Sequence, residues 1–290
     1  MPGILSLTMK VSIYTPTKNR KEALIKAIDS VLNQTYKNIE LIVVNDGSTD
    51  GTAEYLENRA KQDIRLKVFN KTRSEGAPVA RNLAIKYASG EFVTGLDDDD
   101  EFLPERVQSF VDYWQLLTKL GYKPSCLYAQ DIVMRHGSAV FTSQKKGLIN
   151  AEDLFEFNYI GNQIFAPKAH FIAAGLFDEN LPAWQDLEMF MRVLKMFGTA
   201  HLLDLATQLY DDSPKQDRIS VKSESKIRHA YTRVSKLHAS NSGRDAQKLV
   251  FQMFSKYYGV RPGIRDWMKF IQLGFWPRGL LKLAIRTVRY

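Results

Sequence analysis

Apolar positions in the first hundred residues switch between two periods. Lys10–Thr15 (KVSIYT) is a short β-rich run, after which Ala23, Leu24, Ala27, Ile28, Val31 and Leu32 recur at helical spacing. Glu40–Asn45 (ELIVVN) is nearly continuous apolar sequence, as expected of a strand covered on both faces. Asp46-Gly47-Ser48 interrupts it, and a helix start is predicted near Asp50–Thr52. Leu66–Phe69 predicts a third strand, Ala77–Tyr87 a helix, and Glu91–Leu96 a fourth strand running into Asp97. This alternation predicts βαβ units: an α/β fold with a mostly parallel central sheet flanked by helices.

Further along, Pro104–Leu120 predicts a helix, and Ser125–Met134 and Gln163–Ala166 predict strands. Asp186–Phe197 predicts a helix with Leu187, Phe190, Met191 and Leu194 on one side. From Val221 the pattern is helical and basic, after a polar stretch at Asp211–Asp217 that contains Pro214. The expected organisation is an N-terminal extension at 1–9, a body at 10–210 in two halves (10–100 and 101–210), and a helical basic region at 211–290. No internal repeat or low-complexity segment is present.

The charge changes this picture only at the C-terminal end. The net charge is +8. Residues 261–290 carry Arg261, Arg265, Lys269, Arg278, Lys282, Arg286 and Arg289 against Asp266 alone, which leaves the rest of the chain close to balanced. On a helix, Arg278, Lys282, Arg286 and Arg289 fall within roughly 80° of one another. Leu280, Leu281, Leu283, Ala284 and Val288 cover much of the remainder, and Trp267, Phe275 and Trp276 add aromatic anchors. That is the pattern of an interfacial helix on an anionic membrane. The bland alternative is a helix packed on the body with a solvated basic edge. The single Cys126 excludes an intrachain disulfide and a thiolate zinc cluster, which fits a reducing, cytoplasmic setting. Neither a signal peptide nor a transmembrane helix is expected. No nucleic-acid motif is found, so no nucleic-acid partner is expected.

Ligands of such sheets bind beyond the carboxyl ends of the strands. Three polar clusters fall there: Thr15–Arg20, Asn45–Ser48 and Asp97–Glu101. Four adjacent carboxylates at Asp97–Asp100 repel one another, and a hard divalent cation, Mg2+ or Mn2+, offsets that cost. The plain reading of the run is a solvated acidic loop; its place directly after a buried strand favours a metal site. Asp46 reads either as a turn former or as the acceptor for a uracil N3–H. Arg81 reads as a surface helix arginine or as a charge partner for a diphosphate or for the acidic run. Asp186 is an N-cap or a general base, and Trp184 is core or a platform for a sugar face.

The order and spacing of these elements resemble glycosyltransferase family 2, of the bacterial surface-polysaccharide type, with the GT-A (Rossmann-like) fold. The matching segments are VSIYTPTKNR (Val11–Arg20), SVLNQTY (Ser30–Tyr36), ELIVVNDGSTDGT (Glu40–Thr52), ARN (Ala80–Asn82) and ASGEFVTGLDDDDEFLP (Ala88–Pro104), with GLFDENLPAWQDLEMFMR (Gly175–Arg192) further on. The resemblance implies that Thr15, Pro16 and Thr17 line a nucleotide pocket, that Asp46 holds uracil, and that Arg81 and Asp98 lie near the nucleotide-sugar. It implies metal ligation by Asp97 and Asp99, with Asp98 and Asp99 as the other register. It implies that Asp186 is the catalytic base and that Trp184 and Gln185 lie on the acceptor side; Gln185 stands where the family has an acidic residue.

The implied activity is inverting transfer of a hexose-type sugar (glucose, galactose or an N-acetyl derivative) from a UDP-sugar. The implied acceptor is a saccharide or a polyprenyl-diphosphate-linked glycan of O-antigen, capsule or lipopolysaccharide synthesis. The expected location is the inner face of the bacterial plasma membrane, held peripherally. A sugar-1-phosphate nucleotidyltransferase would need a glycine-rich phosphate loop after the first strand, and Thr15–Arg20 contains no glycine. An inactive sugar-nucleotide-binding protein is the non-enzymatic alternative.

Overall fold

The computed structural model describes residues 9–213 and 223–288. Residues 1–8 of the expected extension, Pro214 and Asp217 of the polar stretch, Val221 and Arg289 lie outside the described residues. The first half runs β1 (Val11–Thr17), α1 (Lys21–Leu32), β2 (Ile39–Asn45), α2 (Thr52–Ala60), β3 (Leu66–Asn70), α3 (Ala77–Tyr87) and β4 (Phe92–Gly95). The second runs β5 (Glu101–Phe102), α4 (Arg106–Lys119), β6 (Cys126–Arg135), β7 (Ser138–Thr142), β8 (Leu148–Ile149), β9 (Ala166–Pro167), α5 (Lys168–Ala173), α6 (Gln185–Phe197) and β10 (Ala200–Asp211). Four helices follow: α7 (Glu224–His238), α8 (Gly243–Met253), α9 (Ile264–Gln272) and α10 (Pro277–Val288).

β2 is buried along its whole length, which is why its sequence is a continuous apolar run. Its alternate residues feed two cores. Leu41 and Val43 join Leu24, Ile28 and Phe110 on the face covered by α1 and α4. Ile42 and Val44 join Ala80, Ala84 and Ile85 of α3 on the other face. The first sheet has the order β3-β2-β1-β4-β9, parallel except for β9. The carboxyl ends of β1, β2 and β4 therefore share one rim, and the three polar clusters meet there.

A second sheet, β5-β10-β6-β7, carries the other half of the molecule. Its long strand β10 was not anticipated from the pattern. The register of β10 against β6 slips twice, between Leu203 and Ala206 and between Ala206 and Gln208, and these bulges break the alternation that marks a strand. The expected strand at Gln163–Ala166 contributes only Ala166 to β9, with Phe165 bridging Leu127. Gln163 leaves the ladder because its side chain turns inward, where Oε1 accepts from the Tyr14 hydroxyl at 3.1 Å. The acidic turn 97–100 joins β4 of one sheet to β5 of the other, so it lies at the seam between them.

The C-terminal helices divide in their packing. Ile227, Ala230 and Val234 of α7 and Leu249, Val250 and Met253 of α8 belong to the core shared with α3 and α6. From α9 and α10 the fully buried apolar side chains are Phe270 and Leu283. Among the described residues no helix is long and apolar enough to cross a membrane.

Gly95, the last residue of β4, allows this seam to close. A Cβ there would stand 1.8 Å from Gln163 Oε1 and 2.5 Å from Tyr14 Cζ. Both partners are buried and cannot swing out. Gly95→Ala is expected to cost about 1–3 kcal/mol by overpacking. A denaturant midpoint unchanged from wild type would show that the seam is looser than described.

Candidate functional site

Each carboxylate of the acidic turn has a different environment. Asp100 faces inward: it accepts from Gln208 Nε2 at 2.7 Å, the Asp211 backbone N–H at 3.0 Å and Asn162 Nδ2 at 3.1 Å. It ties the turn to β10. Burial and the Asp97 and Asp99 charges push its pKa well up, against the pull of those donors. Asp98 is also buried; it accepts from Thr17 Oγ1 at 2.7 Å and from Arg20 at 3.2 Å. Burial and its acidic neighbours raise it to about 6. Asp97 and Asp99 keep more exposure, with side chains 26% and 14% accessible. Asp99 pairs with Arg20 at 2.8 Å, and Asp97 with Arg81 at 3.0 Å.

Asp97 and Asp99 thus alternate with Asp98 and Asp100, one pair toward the cleft and the other toward the protein. Carboxylate oxygens are hard donors suited to Mg2+ or Mn2+. Among the described residues no cluster of three or more His, Cys, Asp or Glu forms a metal cage. A donor set of two carboxylates completed by diphosphate oxygens is what these residues fit.

Arg81 joins the turn to the start of α6. It donates to Asp97 Oδ1 at 3.0 Å, Asp186 Oδ1 at 3.2 Å and Gln185 Oε1 at 3.1 Å, and its plane lies 5.3 Å from the Phe177 ring. The guanidinium is buried, and Nε has no partner. Next to it, Asn82 bonds the backbone of Phe177 in both directions, 2.9 Å each, and Glu179 at 3.0 Å, fixing the chain that leads to α6. Burial raises the Asp186 carboxyl to about 6; Arg81 opposes this and Asp97 adds to it.

Trp184 precedes α6 with φ 62°, a left-handed conformation that costs a bulky residue about 1–3 kcal/mol. Its side chain is only 8% exposed and lies 6.5 Å from the Tyr258 ring. It faces the core more than the cleft, with Tyr258, from the segment after α8, beside its ring. Gln185 is buried too and is held by Leu181 O at 2.9 Å while it accepts from Arg81.

Asp46 is the most fully bonded of the expected site residues. Oδ1 accepts from Lys71 Nζ at 2.6 Å and Glu75 N–H at 3.0 Å; Oδ2 accepts from Ser74 Oγ at 2.6 Å and Gly76 N–H at 2.8 Å. It clasps the loop between β3 and α3. Gly47, at φ 71°, makes the clasp possible, since a Cβ there would meet the Arg73 and Ser74 backbone at 2.8 Å. A base N–H would have to displace one of the four donors. Thr15 sits on the same rim with an unpartnered buried Oγ1, beside half-buried Pro16 and buried Thr17.

Sequence reasoning missed Arg20, Asn162 and Gln163 as members of this constellation. Asn162 Nδ2 reaches Asp97 Oδ2 at 3.0 Å, and Gln163 Nε2 reaches Asp97 Oδ1 at 3.3 Å. Arg20 ends both the first polar cluster and the first matching segment, and those were its signals. The Asn-Gly-flanked loop around Asn162 has no local pattern pointing to chemistry.

Comparisons with known proteins fix the family. Residues 12–153 match the family model for glycosyl transferase family 2. The putative colanic acid biosynthesis glycosyl transferase WcaA of Escherichia coli (strain K12) is 33% identical over 251 residues, 85% of this chain and 87% of that protein. The chain belongs to glycosyltransferase family 2. The GalNAc(5)-diNAcBac-PP-undecaprenol beta-1,3-glucosyltransferase of Campylobacter jejuni (subsp. jejuni serotype O:2) is 46% identical over 95 residues, 32% of this chain and 31% of that one. In fold, the chain is similar to S. aureus TarS 1-349 in complex with UDP-GlcNAc. The TM-score is 0.67 at 18% identity, with 96% of this chain and 82% of that one covered. The glycosyltransferase family 2 fold, GT-A, accounts for the mostly parallel sheet and its acidic rim.

The Asp46 clasp gives a stability prediction. Burial alone would raise this carboxyl, but the Glu75, Lys71, Ser74 and Gly76 donors outweigh it and hold it at about 2. A folded-state pKa below the unfolded value means stability that is complete above about pH 4 and lost as pH falls toward 2. The contribution is about 2 kcal/mol. Asp46→Ala is expected to lower the unfolding free energy by that amount or more at pH 7, and to flatten the acid limb of a melting-temperature profile. An unchanged acid limb in the variant would remove Asp46 as its source.

Proposed function

We propose that this glycosyltransferase moves a hexose-type sugar from a UDP-sugar to a saccharide or lipid-diphosphate-linked acceptor in bacterial surface-polysaccharide synthesis, with inversion. The observation that carries this reading is Arg81, whose one guanidinium holds Asp97 of the acidic turn and Asp186 of α6 on a common rim. A proton acceptor therefore stands beside the place where a diphosphate leaves. The polysaccharide context rests on the name of WcaA and the lipid-diphosphate-linked acceptor on that of the Campylobacter jejuni relative; the UDP-sugar class rests on family membership and on the ligand of TarS.

Asp97 and Asp99 would hold Mg2+ or Mn2+, with Asp98 as a buried buttress that anchors the turn through Thr17. When bound, the metal neutralises the charge developing on the departing diphosphate. Thr15, Pro16 and Thr17 would line the nucleotide pocket, and Asp46 would receive the uracil N3–H as its loop adjusts. Asp186 Oδ2 takes the proton of the acceptor hydroxyl as that oxygen attacks the anomeric carbon and the bond to the diphosphate breaks. Attack from the face opposite the leaving group inverts the centre. Trp184 and Gln185 shape the acceptor side by fixing where α6 begins. A peripheral seat on the inner face of the plasma membrane suits a lipid-linked acceptor, and the exposed apolar side chains Phe275, Leu281 and Val288 of the basic tail support it.

Asp186→Asn keeps an oxygen for Arg81 but removes the base. Transfer is expected to fall about 10²–10⁴-fold while UDP-sugar affinity stays within a few-fold. Near-normal transfer would exclude Asp186 from the role. With its carboxyl at about 6, the wild-type rate should fall as pH drops below that value, and a flat profile from pH 7 to 5 would count against it. Asp99→Ala is expected to abolish the gain in UDP affinity that manganese gives, measured by calorimetry with and without the ion. Equal gains in variant and wild type would relocate the metal.

A further inference from the structure

We propose that the pocket between α8 and α10 binds the phosphate headgroup of an anionic membrane lipid. This rests on the membrane-seated reading above and assigns it to a defined site instead of diffuse basic charge. The pocket has a volume of about 470 Å³. Lys248, Lys256, Lys282 and Arg286 converge on it, against the single carboxylate of Glu156. Lys248 lies 3.5 Å from Glu156 and 3.6 Å from Asp245. No carboxylate pairs with Lys256, Lys282 or Arg286 among the described residues. Three uncompensated cations around one cavity repel one another, and a phosphate relieves that repulsion; Arg286 offers it a bidentate fork.

The walls are preorganised. Lys282 Nζ stands 5.9 Å from the Phe251 ring centre and 6.0 Å from that of Trp276, so the ammonium is steered over the aromatic wall. Trp276 stacks on buried Phe270 at 6.3 Å and 15°, and Arg244 caps it at 4.3 Å. A Cβ on Gly279 would come within 2.5 Å of the Trp276 ring, so the glycine lets the indole lie flat against α10.

The surroundings select a lipid over a free phosphate. On α10, Lys282 and Arg286 form one stripe, and Leu281, Ile285 and Val288 form the next, at about 100° per residue. These apolar residues are 65%, 40% and 82% exposed, and Ile285 itself lines the pocket. Phe275, just before α10, is 78% exposed. On α9, Ile264, Met268 and Ile271 make a second exposed stripe at i, i+4 and i+7, away from buried Phe270. A soluble ligand has no use for this apolar margin, whereas acyl chains beside a bound headgroup cover it. Tyr159 of the pocket precedes Asn162 by three residues, so about 10 Å of chain links this site to the residue that holds Asp97. A lipid held here brings the bilayer surface toward the acceptor side of the cleft.

The test is flotation of the full chain with phosphatidylcholine vesicles, with and without phosphatidylglycerol. The pocket variant Lys282→Glu/Arg286→Glu is compared with Arg261→Glu/Arg265→Glu, an equal charge change on the same tail outside the pocket. Wild type is expected to float with the anionic vesicles, the pocket variant to lose at least tenfold in partitioning, and the control to lose several-fold less. Retained UDP binding and melting temperature show that each variant is folded. Equal losses in the two variants overturn the pocket and leave the membrane reading standing. Failure of wild type to float overturns the membrane reading itself. Neutral vesicles carrying a polyprenyl diphosphate form a third arm: flotation on these alone, and not on phosphatidylglycerol, overturns the phospholipid assignment. As a readout without vesicles, glycerol phosphate should shift the Trp276 indole N–H resonance in wild type and not in the pocket variant; no shift in wild type counts against the site.

Discussion

Arg81 is the hinge pin of the molecule. Its side chain is buried, yet it keeps its charge because Asp97 and Asp186 flank it on two sides. Removing either carboxylate would leave a cation in the interior, and removing the arginine would leave two carboxylates facing each other across the cleft. Both are expensive changes in a medium less polar than water. The consequence is geometric as well as energetic. Residues that lie in three separate parts of the chain, on α3, after β4 and at the start of α6, have one permitted arrangement. Asn82 extends the constraint by fastening the segment before α6 to the same helix as Arg81.

Around that pin the acidic turn divides its work by direction. Asp98 and Asp100 are the more deeply buried pair; Asp97 and Asp99 keep more exposure, Asp97 held by Arg81, Asn162 and Gln163 and Asp99 by Arg20. A run that would repel itself in solution becomes a bracket between two sheets. Strain is stored beside it: Trp184 takes a left-handed backbone, which is tolerated because its indole is buried in the core beside Tyr258. The nucleotide side shows the same economy. Asp46 spends all its acceptor capacity on the loop 71–76, so any base that binds there must trade places with a donor the protein already holds.

The C-terminal helices serve two ends. α7 and α8 belong to the same core as α6, while α9 and α10 hold on through Phe270 and Leu283, with Trp267 and Leu280 packed half-buried against that core, and turn Ile264, Met268, Ile271, Leu281, Ile285 and Val288 outward. The second pair, which carries the basic tail, thus combines packing on the body with an exposed basic and apolar surface. The clustering of cations against an aromatic wall gives that surface a focus that a helical projection of α10 alone lacks, because Lys248, Phe251 and Lys256 come from α8 and the turn after it.

The sequence by itself determined the βαβ alternation, the rim on which ligands gather and the identity of the acidic turn, because these depend on periodicities of a few residues and on motifs with fixed spacing. Family membership was legible for the same reason. Strand β10 was not, since two bulges erase its alternation, and neither was the partnership of Asn162 and Gln163 with Asp97, which no local pattern marks. Only the tertiary structure decided which two of the four aspartates face the cleft. Four identical side chains in a row carry no information about direction; the choice is made by Thr17, Gln208 and the Asp211 backbone, which draw Asp98 and Asp100 inward from other strands. Likewise it decided that Trp184 faces the core, since whether an aromatic ring meets solvent or protein depends on what the rest of the chain packs against it.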